Sequence, residues 1–307
     1  MNHPLVYIIV LNWNGREDTE ECLGSLKTLA YPHYRIVLVD NGSTDSSVEH
    51  FKRVFPDLSL IENKSNLGFV LASNQGIEYG LKNGADYLFV LNNDTVVLPD
   101  VLDKLIRVAE SDPGIAAVAP KICYYDNPDR IWCLGGRICF PLGYTWHIAG
   151  RRKDGARYQG VRDVPYLTGC ALLLKRTMIE EIGPFDPAFS PGYFEDVDLC
   201  VRFRRRGYRA VCVEHAKILH KVSGTCPAPL KVYLKIRGGA VFFRRYARPA
   251  HWLTLPFAVA ANASLTACIA ICRGKAEIAK AIYRGFHDLF TKGSQNMGLG
   301  SLSRPQE

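Results

Sequence analysis

Three carboxylates crowd the run Phe194-Glu195-Asp196-Val197-Asp198-Leu199-Cys200-Val201-Arg202. A carboxylate held at a helix start can take the proton of an attacking hydroxyl. Acids at a helix N-terminus are also what the helix dipole favours without any chemistry. Helical spacing separates the three, because neighbours one apart diverge by about 100° and those two apart by about 200°. If Asp196 faces a site, Asp198 turns away toward a partner such as Arg202, and Glu195 sits at the edge.

Leu91-Asn92-Asn93-Asp94 closes an apolar run with a carboxylate and a carboxamide two residues before it. That set suits an oxygen-loving divalent ion bridging a diphosphate. His220 ends the strand-like stretch 216–219, ahead of Ser223-Gly224, and is either a ligand or a structural histidine. Val39-Asp40-Asn41-Gly42-Ser43-Thr44-Asp45 puts a carboxylate at a strand end, where it can accept the imide N–H of a pyrimidine, with amide and hydroxyl groups following. Ser43 or Asp45 as the cap of the next helix explains the same residues. Asn66-Leu67-Gly68-Phe69 and Asn74-Gln75-Gly76 permit close approach to ribose or phosphate, and equally fit a loop and helix start.

The elements that would carry these groups alternate. Strand patterns at 5–11, 35–39, 58–61, 87–91 and 115–119 are separated by helical patterns near 19–29, 46–55, 69–82 and 100–110. This rhythm predicts an α/β, doubly wound, mostly parallel sheet with helices on both faces. Ligands in such sheets sit at the carboxyl ends of the strands, where three of the polar clusters fall. Residues 121–165 suit a long loop or small hairpins, 166–175 and 209–213 strands, and 194–206 a helix. From Lys231 the chain reads as helical, and the last dozen residues, with Gly298, Gly300 and Pro305, as frayed.

Composition bounds the answer further. Hydrophobic residues at 48% and charged residues at 22% exclude disorder for the bulk of the chain. The start of the chain lacks a basic leader and a small-residue cleavage site, so 5–11 reads as a buried strand and not as a signal peptide. Ten cysteines without a CxxC pair suggest buried, reduced thiols in a cytosolic protein. Residues 201–307 hold 19 Lys and Arg against 4 Asp and Glu, whereas 1–200 hold 19 against 26. A basic tail behind an acidic domain suggests an anionic partner. Residues 252–272 carry no formal charge, between Arg244, Arg245 and Arg248 on one side and Arg273 and Lys275 on the other. Basic residues on both flanks favour a helix lying in the cytoplasmic face of a membrane, on anionic lipid, over a single span. A core helix or a dimer helix, with a second copy of the chain as partner, also fits.

Taken in order, these motifs resemble family 2 glycosyltransferases of GT-A fold, in the rhamnosyltransferase-like bacterial branch. The matching run extends through Leu167-Thr168-Gly169-Cys170 and Ile182-Gly183-Pro184-Phe185-Asp186 and covers roughly residues 5–225. The resemblance implies a catalytic domain at 1–225; the basic, apolar and helical pattern beyond it makes 226–307 a membrane-associating extension. By it, Leu11 and Trp13 would flank the base, Asp40 would hold its imide with Asn41 and Ser43 beside it, and Asn66, Gly68 and Asn92 would border the nucleotide. Asp94 and His220 would bind Mg²⁺ or Mn²⁺, Asp196 would be the catalytic base, and Glu195 would assist. Asn92 stands where the family's D-x-D element has its first acid. The implied activity is metal-dependent, inverting transfer from a nucleotide-diphosphate sugar, dTDP-rhamnose or a UDP-sugar, to a glycan or polyprenyl-linked acceptor.

Other classes fit less well. A dehydrogenase should show GxGxxG after the first strand, where this chain has Asn12-Trp13-Asn14-Gly15-Arg16-Glu17. A sugar-nucleotide pyrophosphorylase should carry a Gly-rich basic loop there. A nucleic-acid binder has no use for the apolar stretch inside the basic tail. A non-catalytic, membrane-associated subunit that binds nucleotide sugars would be marked by loss of the acids or of Asp94, and all are present.

Overall fold

Short Val-, Ile- and Leu-rich runs free of Gly and Pro build the first parallel strands: β1 (Val6–Asn12), β2 (Tyr34–Asp40), β3 (Ser59–Glu62) and β4 (Tyr87–Asn92). Helices α1 (Arg16–Leu26), α2 (Ser47–Val54) and α3 (Gly68–Lys82) connect them. The computed structural model describes residues 3–222 and 226–291; Ser223-Gly224 and the expected frayed end lie outside the described residues. Both faces of β1 are buried, with Tyr7 and Ile9 in one apolar core and Val6, Ile8 and Val10 in the other. Helix α3 covers the first face through Ile77, and α1 covers the second through Leu23. A Cβ on Gly76 would stand 2.3 Å from Ile9, so α3 packs on the sheet at a distance only glycine allows.

The chain continues through β5 (Thr95–Val97), α4 (Val101–Glu110), β6 (Ile115–Tyr124) and β7 (Ile131–Cys133). A hairpin of β8 (Gly136–Cys139) and β9 (Tyr144–His147) precedes β10 (Val161–Val164) and β11 (Ala171–Lys175). Then come α5 (Arg176–Ile182), α6 (Glu195–Arg205), β12 (Arg209–His220), α7 (Ala228–Tyr246), α8 (Leu255–Cys272) and α9 (Ala276–Thr291). The main sheet runs β10-β12-β6-β11-β4-β1-β2-β3, mostly parallel as expected, with β11 antiparallel to β4 and β6 in its middle.

Three local readings change. The strand expected over 166–175 begins only at Ala171, leaving Tyr166–Cys170 as non-strand backbone beside the site. The segment 121–165 resolves into the end of β6 and small hairpins. The stretches 209–213 and 216–219 are one strand, β12, whose register with β6 shifts between Val213 and Lys217. Past that irregularity, a local kink of the bulge kind, β12 reaches far enough to set His220 opposite Thr95.

The division at 225/226 is not a break in packing. Val241, Phe242, Phe243 and Tyr246 of α7 are buried in the same core as Tyr7 and Ile9. The charge asymmetry is also partly internal. Lys221 meets Asp18 and Glu21 at 2.6 Å, Arg209 meets Asp112 at 2.5 Å, and Arg204 meets Asp163 at 2.8 Å. Six of the ten cysteines are buried; Cys268 and Cys272 are exposed on α8.

One buried carboxylate ties α6 to α7. Asp198 is fully buried; its Oδ2 accepts from Arg202 Nε at 2.8 Å, and its Oδ1 accepts from Arg245 at 2.9 Å and from Tyr246 Oη at 2.7 Å. Arg202 also donates to the carbonyls of Ile182, Gly183 and Pro184. Replacing Asp198 by Asn removes the counter-charge of Arg202 and one of the two carboxylates on Arg245, which keeps Asp186 at 2.7 Å. We expect Asp198→Asn to lower unfolding free energy by about 2–3 kcal/mol, below the full cost of breaking a buried pair because both arginines are partly exposed. Urea unfolding monitored by circular dichroism checks this, and a loss under about 0.5 kcal/mol, the scatter of ordinary surface changes, would contradict it.

Candidate active site

The carboxyl ends of β1, β2 and β4 open into a cavity of about 1930 Å³. Leu11, Trp13, Asn41, Asn66, Gly68, Asn92, Asp94, Glu195, Asp196 and His220 all line it. Asp40 and Ser43 stand behind the wall. Asp40 is 1% exposed; Oδ1 accepts the Gly42 and Ser43 N–H groups, and Oδ2 accepts from Asn12 Nδ2 at 2.7 Å. Ser43 Oγ accepts from the N–H of Asn14 and from Asn12 Nδ2, joining the β1 and β2 turns. In this arrangement Asp40 and Ser43 shape the turns, and neither faces the cavity.

Asn41 sets the next part of the wall: its Oδ1 accepts the N–H of Leu67 at 2.9 Å, and its Nδ2 donates to Asn66 Oδ1 at 2.8 Å. Gly68 has φ +81°, and a Cβ there would lie 2.6 Å from the Pro191 backbone, so the loop before α6 closes directly over the start of α3. The structural reading prevails for the remaining polar residues. Asn74 exchanges hydrogen bonds with the Phe185 backbone, Gln75 pairs with Asn63, and Asp45 accepts from the N–H and hydroxyl of Ser47.

Asp94 and His220 meet at the centre of the wall. Asp94 Oδ1 lies 3.2 Å from His220 Nε2. Two atoms ligating one ion at about 2.1 Å each stand about 3 Å apart, so this pair fits a shared divalent cation. The described residues contain no group of three or more His, Cys, Asp and Glu placed for a metal. An ion here would therefore complete its shell from a bound diphosphate and water, as Mg²⁺ commonly does. His220 Nδ1 is buried without a hydrogen-bond partner among the described residues, and the Trp132 ring packs edge-on against the imidazole at 4.6 Å.

Asp196 faces the cavity from the first turn of α6. Its Oδ2 accepts the N–H of Gly169 at 2.9 Å, and its Oδ1 accepts the N–H of Val197 at 2.8 Å. Burial raises its pKa, outweighing the two N–H groups that favour the charged form. Glu195 is more enclosed than an edge position: it is 6% exposed, and Oε2 has no partner. Burial, with the adjacent Asp196 charge, pushes it well above the carboxylate range. Both carboxyls are thus shifted upward by burial, and Asp196 is the one whose two oxygens are held by backbone N–H groups.

The turn before these acids is strained. Tyr193 and Phe194 both take left-handed backbone, at φ 76° and 74°, each at a cost of about 1–3 kcal/mol for a non-glycine residue. Helix α7 holds them there. A Cβ on Gly238 would stand 2.3 Å from the Tyr193 carbonyl oxygen, and Arg237 donates to the carbonyls of Ser190 and Ala188. The helical Gly238-Gly239 pair was the sequence signal for this close approach. Sequence reasoning also missed Trp132, His147 and Lys235, which line the cavity. Burial lowers the His147 pKa to about 4 and leaves the ring neutral at pH 7.

Residues 7–183 match the family model described as glycosyl transferase family 2. N-acetylglucosaminyl-diphospho-decaprenol L-rhamnosyltransferase of Mycobacterium tuberculosis is 27% identical over 231 residues, covering 69% of this chain and 75% of its own length. O-antigen biosynthesis protein RfbC of Myxococcus xanthus is 26% identical over 230 residues, covering 72% of this chain and 18% of its own length. Among solved structures, the mannosyltransferase PcManGT of Pyrobaculum calidifontis, in complex with GDP-Man and Mn²⁺, superposes with a TM-score of 0.57 at 17% identity, covering 95% of this chain and 88% of that one. This likeness shows the GT-A fold.

The Asp94–His220 pair predicts metal-dependent ligand binding. With Mn²⁺ at a hundredfold excess of ligand over Kd, a nucleoside diphosphate should stabilise the protein by about 2.7 kcal/mol. Thermal melts with UDP and dTDP, each with Mn²⁺ or with EDTA, read this directly. Asp94→Ala should abolish the difference between metal and chelator; equal stabilisation by both in the unmodified protein would refute the metal site.

Proposed function

The chain belongs to glycosyl transferase family 2, and from that premise we propose that it is an inverting enzyme moving a sugar from dTDP-rhamnose or a UDP-sugar to a hydroxyl of a lipid-linked or cell-surface glycan. The observation that carries this reading is the shared cavity wall of Asp196, a carboxylate with a raised pKa, and the Asp94–His220 pair. The rhamnosyltransferase and O-antigen names of the relatives support the donor and acceptor classes.

In this mechanism the base and ribose lie along Leu11, Trp13, Asn41, Asn66, Gly68 and Asn92. Asp40 keeps the turn in shape through three donors, and its Oδ2, which accepts from Asn12 Nδ2 alone, retains a lone pair for the imide N–H of the base. Asp94 and His220 would hold Mg²⁺ or Mn²⁺ at the diphosphate end, where the ion would neutralise the charge of the leaving group. Asp196 takes the proton of the acceptor hydroxyl through the carboxylate that Gly169 N–H keeps in position. With one base and no glycosyl-enzyme nucleophile assigned, the oxygen attacks directly and inverts the anomeric carbon.

Attachment to the inner face of the cytoplasmic membrane belongs to the same proposal. Helix α8 is long and apolar enough to cross a membrane, yet only 11% of it is buried, which argues against a core helix. Leu253, Phe257, Leu265 and Ile271 are between 59% and 77% exposed. Arg273 and Lys275 after the helix, and Arg244 and Arg248 before it, make no ion pair among the described residues. They suit anionic headgroups around a helix lying in the membrane plane. On this reading the extension at 226–307 combines a site-building helix with a membrane contact.

Asp196→Asn keeps size and hydrogen bonding but loses basicity. Turnover should fall by about 10²–10⁴-fold with donor binding retained, and Glu195→Gln should cost less. In the unmodified enzyme kcat/KM should fall as pH drops through a value above the ordinary carboxylate range, because protonation removes the base; Asp196→Asn should lose that dependence. Near-normal turnover of Asp196→Asn with a donor that supports transfer would reassign the base. Anomeric configuration of the product by NMR tests inversion. The membrane reading predicts flotation with vesicles containing anionic phosphatidylglycerol, weakened by salt; recovery entirely in the soluble fraction, with or without vesicles, would overturn it.

A further inference from the structure

Helices α7, α8 and α9 form a cavity wall whose chemistry differs from the strand ends. Lys231 and Lys235 lie one turn apart on α7, and both line the cavity. Neither ammonium group makes a hydrogen bond or ion pair with any described residue, whereas Arg202 and Arg245 are taken up by Asp198 and Lys221 by Asp18 and Glu21. The Lys235 ammonium stands 5.6 Å from the centre of the Tyr193 ring. Burial and the neighbouring Lys231 lower its pKa, while Asp196 acts on it in the opposite sense, and all three residues line the one cavity.

Past the lysines the wall turns apolar. Leu255, Val259 and Ala263 of α8 and Ile282 and Phe286 of α9 line the same cavity. The other sides of α8 expose Phe257 and Leu265. Two cations thus share one cavity with the base and with an apolar wall on helices that also expose apolar surface. The matching ligand is an amphiphile with a hydroxyl-bearing head, an anionic group next to it and a hydrocarbon chain beyond.

Resting on the transferase reading above, we propose that Lys231 and Lys235 are a subsite for the acceptor's phosphate or diphosphate, with its lipid chain along α8 and α9. Lysines suit this role as point charges for phosphate oxygens. The donor diphosphate is held separately, at Asp94 and His220.

The test measures binding to the full chain of farnesyl diphosphate, farnesol and inorganic pyrophosphate, below the detergent-like threshold of the lipid, beside UDP with Mn²⁺. The unmodified protein should bind farnesyl diphosphate at least about tenfold more tightly than either fragment, the worth of one charge-assisted hydrogen bond. The double variant Lys231→Gln/Lys235→Gln should lose about tenfold or more for farnesyl diphosphate, with farnesol and UDP–Mn²⁺ unchanged. Lys231→Arg/Lys235→Arg should restore binding, and thermal melts verify that each variant is folded. Unchanged farnesyl diphosphate affinity in the glutamine variant overturns the subsite. Pyrophosphate binding as tightly as farnesyl diphosphate overturns the lipid assignment, and selective loss of UDP–Mn²⁺ assigns the lysines to the donor instead. If the unmodified protein binds no nucleoside diphosphate, the transferase reading fails separately, while the lipid measurements still decide the lysine subsite.

Discussion

The direction in which α6 presents its acids depends on the buried carboxylate of Asp198. With two guanidinium groups and a phenol hydroxyl on its oxygens, it cannot rotate toward the cavity without giving up all three hydrogen bonds and leaving Arg202 without its carboxylate. Because residues two apart on a helix point to nearly opposite sides, holding Asp198 inward turns Asp196 toward the cavity. Arg202 extends the restraint to the chain around Ile182–Pro184, and Arg245 and Tyr246 extend it to α7.

Helix α7 therefore belongs to the catalytic body. It supplies Phe242 to the central core, glycine backbone beneath the Tyr193–Phe194 turn, and Arg237 to the carbonyls preceding that turn. Two successive left-handed residues persist only where surroundings over-determine them, and the surroundings here come from more than 40 residues further along the chain. Strain at the start of α6 is offset by packing from α7, and the result is an acid pair at the edge of a deep cavity.

Charge follows the same division. The acidic first part of the chain takes up many of the basic residues that follow it, through pairs such as Lys221 with Asp18 and Arg209 with Asp112. Among the described residues without an ion pair, Lys231, Lys235 and Arg244 line the cavity, and Arg248, Arg273 and Lys275 flank α8. The cavity consequently has two faces of different chemistry: amides, a carboxylate and an imidazole at the strand ends, and lysines grading into aliphatic side chains on the helices. Such a surface can hold two dissimilar ligands at once, which group transfer from a polar donor to an amphiphilic acceptor requires.

The alternation of apolar strands and amphipathic helices up to residue 120 was legible in the sequence, because each element's periodicity is local. So were the strand-end clusters that contribute Asn41, Asn92 and Asp94 to the wall, and the opposite facing of Asp196 and Asp198. Strand direction was not legible: nothing in Ala171–Lys175 marks it as antiparallel between two parallel neighbours. Nor could spacing reveal that Asp40 would spend both oxygens on neighbouring donors, or that the irregularity after Val213 would carry His220 to Asp94. Those outcomes depend on contacts between segments far apart in the chain. The sequence by itself determined which residues could do chemistry and on which elements they ride. Only the tertiary structure decided which of them share a wall, since burial, pairing of charges and the closeness of α7 to the Tyr193 turn arise when distant segments pack.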